Sequence, residues 1–236
     1  GWRATYADVV AFTDDDCRPD ARWLERLVGG IGGADIVQGR IEPDPEQADR
    51  GRPFTRSLEA GGSPFFETAN IAFRRQLLED LGGFDESYRF QGGEDTDLGQ
   101  RALLAGATTT YVPDALVRHE VFPLTVLGAI RHAGRCDQLI QAVVRHPVLH
   151  QHFRTRLLLL PHHPQTLAAT AGAAVAAASL ATRRAAPVAV GTAAGMALAR
   201  PWLRLRLRRR PTVRSKPRRV ATLPAQLVVE LTEILV

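Results

Sequence analysis

Short apolar runs separated by turn-forming residues fill the first half of the chain. Residues 9–12, Val-Val-Ala-Phe, are four apolar positions with two β-branched members and read as a short buried strand. Helical spacing over residues 20–28 predicts a helix ended by Gly29-Gly30, and residues 36–41 read as a second strand. Residues 43–53 and 61–64 are rich in Pro, Gly and polar side chains and are expected as loops, with a short helix over 74–81. Leu98, Ala102, Leu103 and Ala105 recur at helical spacing behind Gly92-Gly93, and Gly106 stops that run. Residues 108–112, three Thr with Tyr and Val, predict a strand, followed by Pro113-Asp114. Beyond them, residues 124–152 are expected to be mostly helical, broken at Pro147. Phe65 and Phe66 are read as core side chains in preference to sugar-stacking ones.

Three consecutive carboxylates, Asp14, Asp15 and Asp16, follow the first strand at once. They repel one another, and no Lys or Arg stands among them. A bound divalent cation such as Mg²⁺ or Mn²⁺ would relieve that repulsion, because hard cations take oxygen ligands. The carboxyl ends of strands are also where open α/β sheets bind ligands. The alternative is an acidic turn that is simply solvated or caps the following helix. A second acidic group, Glu94, Asp95 and Asp97, opens a helix behind the Gly92-Gly93 turn. Acids in a first turn suit the helix dipole, but capping needs only one of them. A base on a helix N-terminus beside a flexible turn is a plausible catalytic arrangement. His119, one strand further on, reads either as a structural histidine or as a metal ligand.

Taken in order, Phe-Thr-Asp-Asp-Asp-Cys-Arg-Pro, then Thr68-Ala69-Asn70-Ile71-Ala72-Phe73, Gly-Gly-Phe-Asp-Glu, Gly-Glu-Asp-Thr-Asp-Leu and Val-Arg-His resemble the family 2 glycosyltransferases over residues 9–119. The resemblance implies a GT-A fold, a Rossmann-like α/β sandwich, and transfer of a sugar with inversion from a nucleotide-diphosphate donor. It implies that Asp14 approaches the donor nucleotide, with Asp15 nearby, and that Asp16 and His119 hold Mn²⁺ or Mg²⁺. Asp95 matches the base that deprotonates the acceptor, with Glu94 beside it, and Asn70 and Asp97 fall among substrate-binding positions. The family carries further βα units before the Asp triplet, so the fold is expected to be N-terminally incomplete, with half of the donor pocket outside this chain. No Gln-x-x-Arg-Trp signature of processive synthases is present, which favours addition of single sugars. The partners implied are a nucleotide-diphosphate sugar donor and a glycan or lipid-linked acceptor. Two rivals remain open: a nucleotidyltransferase on a related fold, and a non-catalytic membrane-tethered scaffold.

Charge divides the chain. Residues 1–122 hold 22 acids and 13 Lys/Arg, a balance of −9, and residues 123–236 hold 3 acids and 17 Lys/Arg, a balance of +14. The basic character therefore belongs to the second half. Cys17 and Cys136 are too few for a disulfide framework, which suits a reducing compartment. Residues 166–182 and 187–199 carry no charge, the first of them mostly Ala, with Arg183-Arg184 between them, and residues 200–219 carry ten Lys/Arg. A spanning helix needs about 20 apolar residues, about 17 at the least. These lengths and the cationic flank lead to the expectation of a membrane-embedded hairpin over 158–203, with the catalytic domain on the cytoplasmic face of the membrane. An Ala-rich soluble hairpin is the alternative. The Arg run lacks aromatic interleaving or a reader motif, so no nucleic-acid partner is expected. The expected organisation is a partial catalytic domain over 1–122, a helical connector over 123–157, the hairpin over 158–203, and a basic tail with a terminal helix over 204–236.

Overall fold

The computed structural model describes residues 1–47, 54–89, 92–133, 137–153, 163–181, 185–208 and 223–229. Two compact units divide the chain, one of residues 1–50, 55–123 and 136–149, the other of 51–54, 124–135 and 150–236. In chain order the elements are β1 (Val9–Phe12), β2 (Cys17–Pro19), α1 (Trp23–Ile31), β3 (Ile36–Pro43), β4 (Phe54–Arg56), β5 (Ile71–Arg74), α2 (Arg75–Asp80) and α3 (Glu94–Leu104). They continue as β6 (Thr109–His119), β7 (Phe122–Leu124), α4 (Val126–Ala133), α5 (Asp137–Arg145), α6 (His163–Ala181) and α7 (Ala185–Arg208).

The first unit is built on a mixed sheet of order β1-β5-β3-β6-β2. β3 and β6 run parallel and the other pairs are antiparallel. Val10, Ile36, Ile71 and Phe73 join Leu78 of α2 and Leu98 and Ala102 of α3 in one cluster. Their chain neighbours Val37 and Ala72 join Leu27 and Ile31 of α1 in another, with Val9 and Ala11 packed against it. Successive strand side chains point to opposite faces, so a sheet covered on both sides demands apolar residues at nearly every position. That demand explains the unbroken apolar run of β1. α5 also belongs to this unit and lies against α3.

Three sequence expectations need correction here. α1 starts at Trp23 and not at residue 20, because Cys17–Pro19 forms an edge strand that the sequence reading missed. A three-residue strand ending in Pro is tolerated at an edge, where the proline's missing N–H disrupts no ladder. α1 also runs through Gly29-Gly30 to Ile31. A Cβ at Gly30 would lie 2.9 Å from Val37 Cγ1, so this glycine permits close approach of helix to sheet instead of ending the helix. Finally, β6 passes through Pro113-Asp114 to His119. Gly39 pairs with Val112 and Arg40 with Leu116, so Pro113 falls inside a bulge and forfeits no ladder bond.

In the second unit α6 and α7 pack against each other. Gly172 and Gly195 bring the two backbones together, since a Cβ on either would sit 2.4 Å from the other's carbonyl oxygen. Among the described residues, no helix is long and apolar enough to cross a membrane. The described helices therefore give the expected membrane-embedded hairpin over 158–203 no support. Alanine adds little apolar transfer energy, and His163, Gln165, Thr166 and Thr170 stand within α6 and Arg200 within α7. Residues 158–162, 182–184 and most of the basic stretch after 208 lie outside the described residues.

Two helical glycines give opposite expectations. Gly29 has open space around its missing Cβ, whereas a Cβ at Gly99 in α3 would fall 2.1 Å from the ring of Phe66. Phe66 is 1 % exposed and has φ +57, so it has no room to yield. Gly29→Ala is expected to stabilise the fold by about 0.5 kcal/mol, and Gly99→Ala to destabilise it by about 2 kcal/mol. Urea denaturation midpoints measure both, and an unchanged midpoint for Gly99→Ala would contradict this packing.

Candidate active site

The acidic triplet sits in the tight turn between β1 and the edge strand β2, closed by the Cys17 N–H donating to the Asp14 carbonyl at 3.1 Å. β2 then pairs antiparallel with the end of β6, placing Cys17 directly opposite His119. The Glu120 N–H donates to the Asp16 carbonyl at 2.8 Å and ties the turn to the strand end. As a result Asp16 Oδ1 lies 3.5 Å from His119 Nε2, and Cys17 Sγ lies 4.0 Å from the same oxygen. The three donor atoms fall within 4.8 Å of one another. His119 is 6 % exposed, and its Nδ1 is 2.7 Å from the Glu120 carbonyl oxygen. A carbonyl can only accept, so Nδ1 carries the proton. In the neutral ring this leaves Nε2 with a lone pair aimed at Asp16, the orientation that metal-binding imidazoles adopt.

A cation absent from the sequence neighbourhood reaches the triplet from elsewhere. Arg56 Nη2 is 3.5 Å from Asp16 Oδ2, and its guanidinium stacks 4.5 Å above the Phe122 ring. Phe122 in turn meets His119 edge to face at 6.4 Å. Asp14 has its carboxyl raised above the ordinary range, first by partial burial and then by the charge of Asp16, with Asp15 and Glu94 adding to it and His119 opposing. Asp15 is exposed and lines an open depression beside Asp16, Cys17, Arg118 and Glu120. Burial, followed by the charges of Asp14 and Asp16, pushes the Cys17 thiol up to about 11.

The second acidic group stands at the start of α3. Gly93 takes φ +117 as the N-cap, a backbone that side-chain-bearing residues rarely adopt. Asp95 Oδ1 accepts the Thr96 N–H at 2.7 Å, and the Thr68 backbone also donates to this carboxylate. Thr96 Oγ1 donates to the Phe65 carbonyl at 2.9 Å, and Gln100 Nε2 to the Pro64 carbonyl at 2.9 Å. These bonds fix the helix start against the 63–66 loop. Asp95 is raised to about 7, mainly by burial, then by Glu94, with Glu67 adding a further charge. Glu67 is itself raised by burial while accepting the Ser63 hydroxyl at 2.8 Å. Glu94 acts electrostatically on both Asp14 and Asp95, so the two acidic groups belong to one field.

Two residues expected to bind substrate face inward instead. Asn70 is 1 % exposed, accepts the Trp23 indole N–H at 2.7 Å, and donates to the carbonyls of Arg40 at 2.8 Å and Ala115 at 2.7 Å. It stitches α1 to the bulge between β3 and β6. Gly39 is needed beneath it, since a Cβ there would be 2.3 Å from the Asn70 amide nitrogen. Asp97 is 3 % exposed, with Arg101 Nε at 2.8 Å and His146 Nε2 at 2.8 Å. Arg101 also donates to the carbonyls of Leu81 and Gly83, so this cluster braces α3 against α5 and the Gly82-Gly83 turn. Burial with every polar atom already partnered leaves neither Asn70 nor Asp97 a free group for a ligand. Sequence reasoning missed Cys17, Arg56 and Glu67. Only Cys17 had a local signal, its place next to the triplet.

A family model described as glycosyl transferase family group 2 matches residues 9–199. A pre-mycofactocin glycosyltransferase of Mycobacterium tuberculosis is 33% identical over 135 residues, covering 51% of this chain and 28% of that protein. An N-acetylglucosaminyl-diphospho-decaprenol L-rhamnosyltransferase from the same organism is 32% identical over 118 residues, 47% of this chain and 35% of that protein. The chain thus spans about a third of the length of these curated relatives. Among solved structures, the mannosyltransferase PcManGT from Pyrobaculum calidifontis, in complex with GDP-Man and Mn²⁺, superposes with a TM-score of 0.56 at 22% identity. That match covers 99% of this chain and 64% of the other, and it shows a shared fold.

Two measurements probe this geometry. Asn70→Ala would leave the Trp23 donor and two carbonyls unpaired and is expected to destabilise by about 2–4 kcal/mol in chemical denaturation. The folded Asp95 carboxyl titrates at about 7, above its ordinary 3.8. Between those values the unfolded chain has lost a proton that the folded chain keeps, so stability falls as pH rises. Asp95→Asn is therefore expected to raise the melting temperature at pH 8 and leave it unchanged at pH 4. Equal shifts at both pH values would contradict the burial of Asp95.

Proposed function

The chain belongs to glycosyl transferase family group 2, and on that premise we propose that it transfers a sugar, with inversion, from a nucleotide-diphosphate donor to a hydroxyl of a glycan or lipid-linked acceptor, using Mn²⁺ or Mg²⁺. The observation that carries this reading is Asp95, a carboxylate raised to about 7 at a helix start whose neighbour Glu94 also acts on the acidic triplet. A general base works best when its pKa lies near the operating pH. Asp95, held by the Thr96 and Thr68 backbone, takes the proton of the acceptor hydroxyl as that oxygen attacks the anomeric carbon. Asp16 and Nε2 of His119 suit a divalent ion, which when bound would stabilise negative charge on the departing diphosphate as a Lewis acid. Arg56, 3.5 Å from Asp16, adds a fixed positive charge on the same side. Burial keeps Asp95 in the useful range, with the charges of Glu94 and then Glu67 adding to it. A neighbour of the same fold solved with GDP-Man and Mn²⁺ supports this donor class and this ion.

Association with the cytoplasmic surface of a membrane belongs to the same proposal. Ten Lys/Arg within residues 200–219 would be drawn to anionic lipid. The relative whose name carries diphospho-decaprenol supports a lipid-linked acceptor.

The proposal is tested by incubating the full chain with a panel of nucleotide sugars with and without Mn²⁺. Release of a nucleoside diphosphate is expected only with the ion, whereas release of pyrophosphate would favour a nucleotidyltransferase. kcat/KM is expected to rise with pH and level off above about 7, as the Asp95 carboxylate forms. Asp95→Asn should lower kcat by about 10²–10⁴-fold while leaving Mn²⁺ binding intact. Full turnover by that variant would remove Asp95 as the base.

A further inference from the structure

We infer that Cys17 is a third protein ligand of the proposed metal site, making it an oxygen–nitrogen–sulfur set that favours thiophilic and borderline divalent ions such as Co²⁺, Zn²⁺ and Cd²⁺ over Mg²⁺. The inference rests on the reading of Asp16 and His119 as metal ligands and adds a donor to it.

The placement follows from backbone register. Cys17 and His119 are direct cross-strand partners in an antiparallel pair, so their side chains leave the same face of the sheet. The two oxygens of Asp16 divide their neighbours. Oδ2 faces Arg56 at 3.5 Å, while Oδ1 faces both His119 Nε2 at 3.5 Å and Cys17 Sγ at 4.0 Å. Metal–ligand distances of about 2.0–2.3 Å put tetrahedral donors roughly 3.4–3.6 Å apart. The Asp16–His119 spacing already falls there, and the thiol, 4.0 Å from Oδ1 and within 4.8 Å of Nε2, has to close by up to about 1 Å. His119 is held by Nδ1 to the Glu120 carbonyl, which supplies the outer contact expected of a metal-bound imidazole. Binding forms a metal–sulfur bond and releases the thiol proton to solvent. Soft sulfur selects against Mg²⁺, which prefers oxygen and retains its water.

The test uses the full chain freed of metal and titrated with Co²⁺, followed by near-ultraviolet absorption and calorimetry. A sulfur-to-cobalt charge-transfer band is expected to grow to one equivalent. It should be missing in Cys17→Ser, whose Co²⁺ affinity should fall about tenfold. Should that variant fail to fold, maleimide labelling of the unsubstituted chain gives a second reading. Co²⁺ or Zn²⁺, but not Mg²⁺, should slow modification of Cys17, with peptide mass mapping separating it from Cys136. Co²⁺ binding that Asp16→Asn abolishes, but without the band and without protection of Cys17, would overturn this inference and leave the metal site standing. Absence of Co²⁺ binding in every form of the chain would overturn both.

Discussion

Three adjacent carboxylates at the end of a buried strand repel one another, and the pairing of β2 with β6 holds them in place. Two backbone bonds do much of this, Cys17 N–H to Asp14 and Glu120 N–H to Asp16. The register they impose sets Cys17 opposite His119 and points the imidazole's Nε2 at Asp16. Positive charge then arrives from Arg56, carried by β4 and stacked on Phe122. On the proposed reading the acidic turn is a preorganised cation site whose walls come from chain segments about 40 and 100 residues away.

The second half of the site is positioned by a different device. α3 begins at a left-handed glycine and is anchored through Thr96 and Gln100 to the 63–66 loop, and through Asp97 to Arg101 and His146. With the helix fixed from beneath, Asp95 is held where burial and the neighbouring acids Glu94 and Glu67 raise it to about 7. Its neighbour Asp97, two residues on, meets the opposite environment, an ion cluster that satisfies both its oxygens. Environment, and not residue type, separates the proposed base from a structural acid here.

The two acidic groups and His119 could be read from sequence because each is a short local pattern at an element end. β1, the core of β3 and the helix of α3 were legible for the same reason, since apolar runs and turn glycines mark them. The edge strand β2 was not, because three residues ending in Arg-Pro carry no strand periodicity and are held by tertiary pairing alone. Pro113-Asp114 looked like a strand end, but the bulge opposite Gly39 accommodates it. Asn70 and Asp97 carried family-like motifs whose inward use becomes visible only once Trp23, Arg40, Ala115, Arg101 and His146 converge on them. Arg56 and Glu67 gave no local sign at all. The α6–α7 hairpin was legible as a pair of helices, but an Ala-rich stretch does not distinguish close helix packing at Gly172 and Gly195 from a span.

The central claim is that the β2–β6 pairing builds the cation site, while the α3 start serves as the base. Anomalous diffraction at the manganese edge, from crystals grown with Mn²⁺ and a nucleoside diphosphate, tests it most directly. The account predicts one strong peak within coordination distance of Asp16 and His119. A peak instead between Glu94 and Asp95, or none at either position, would contradict it.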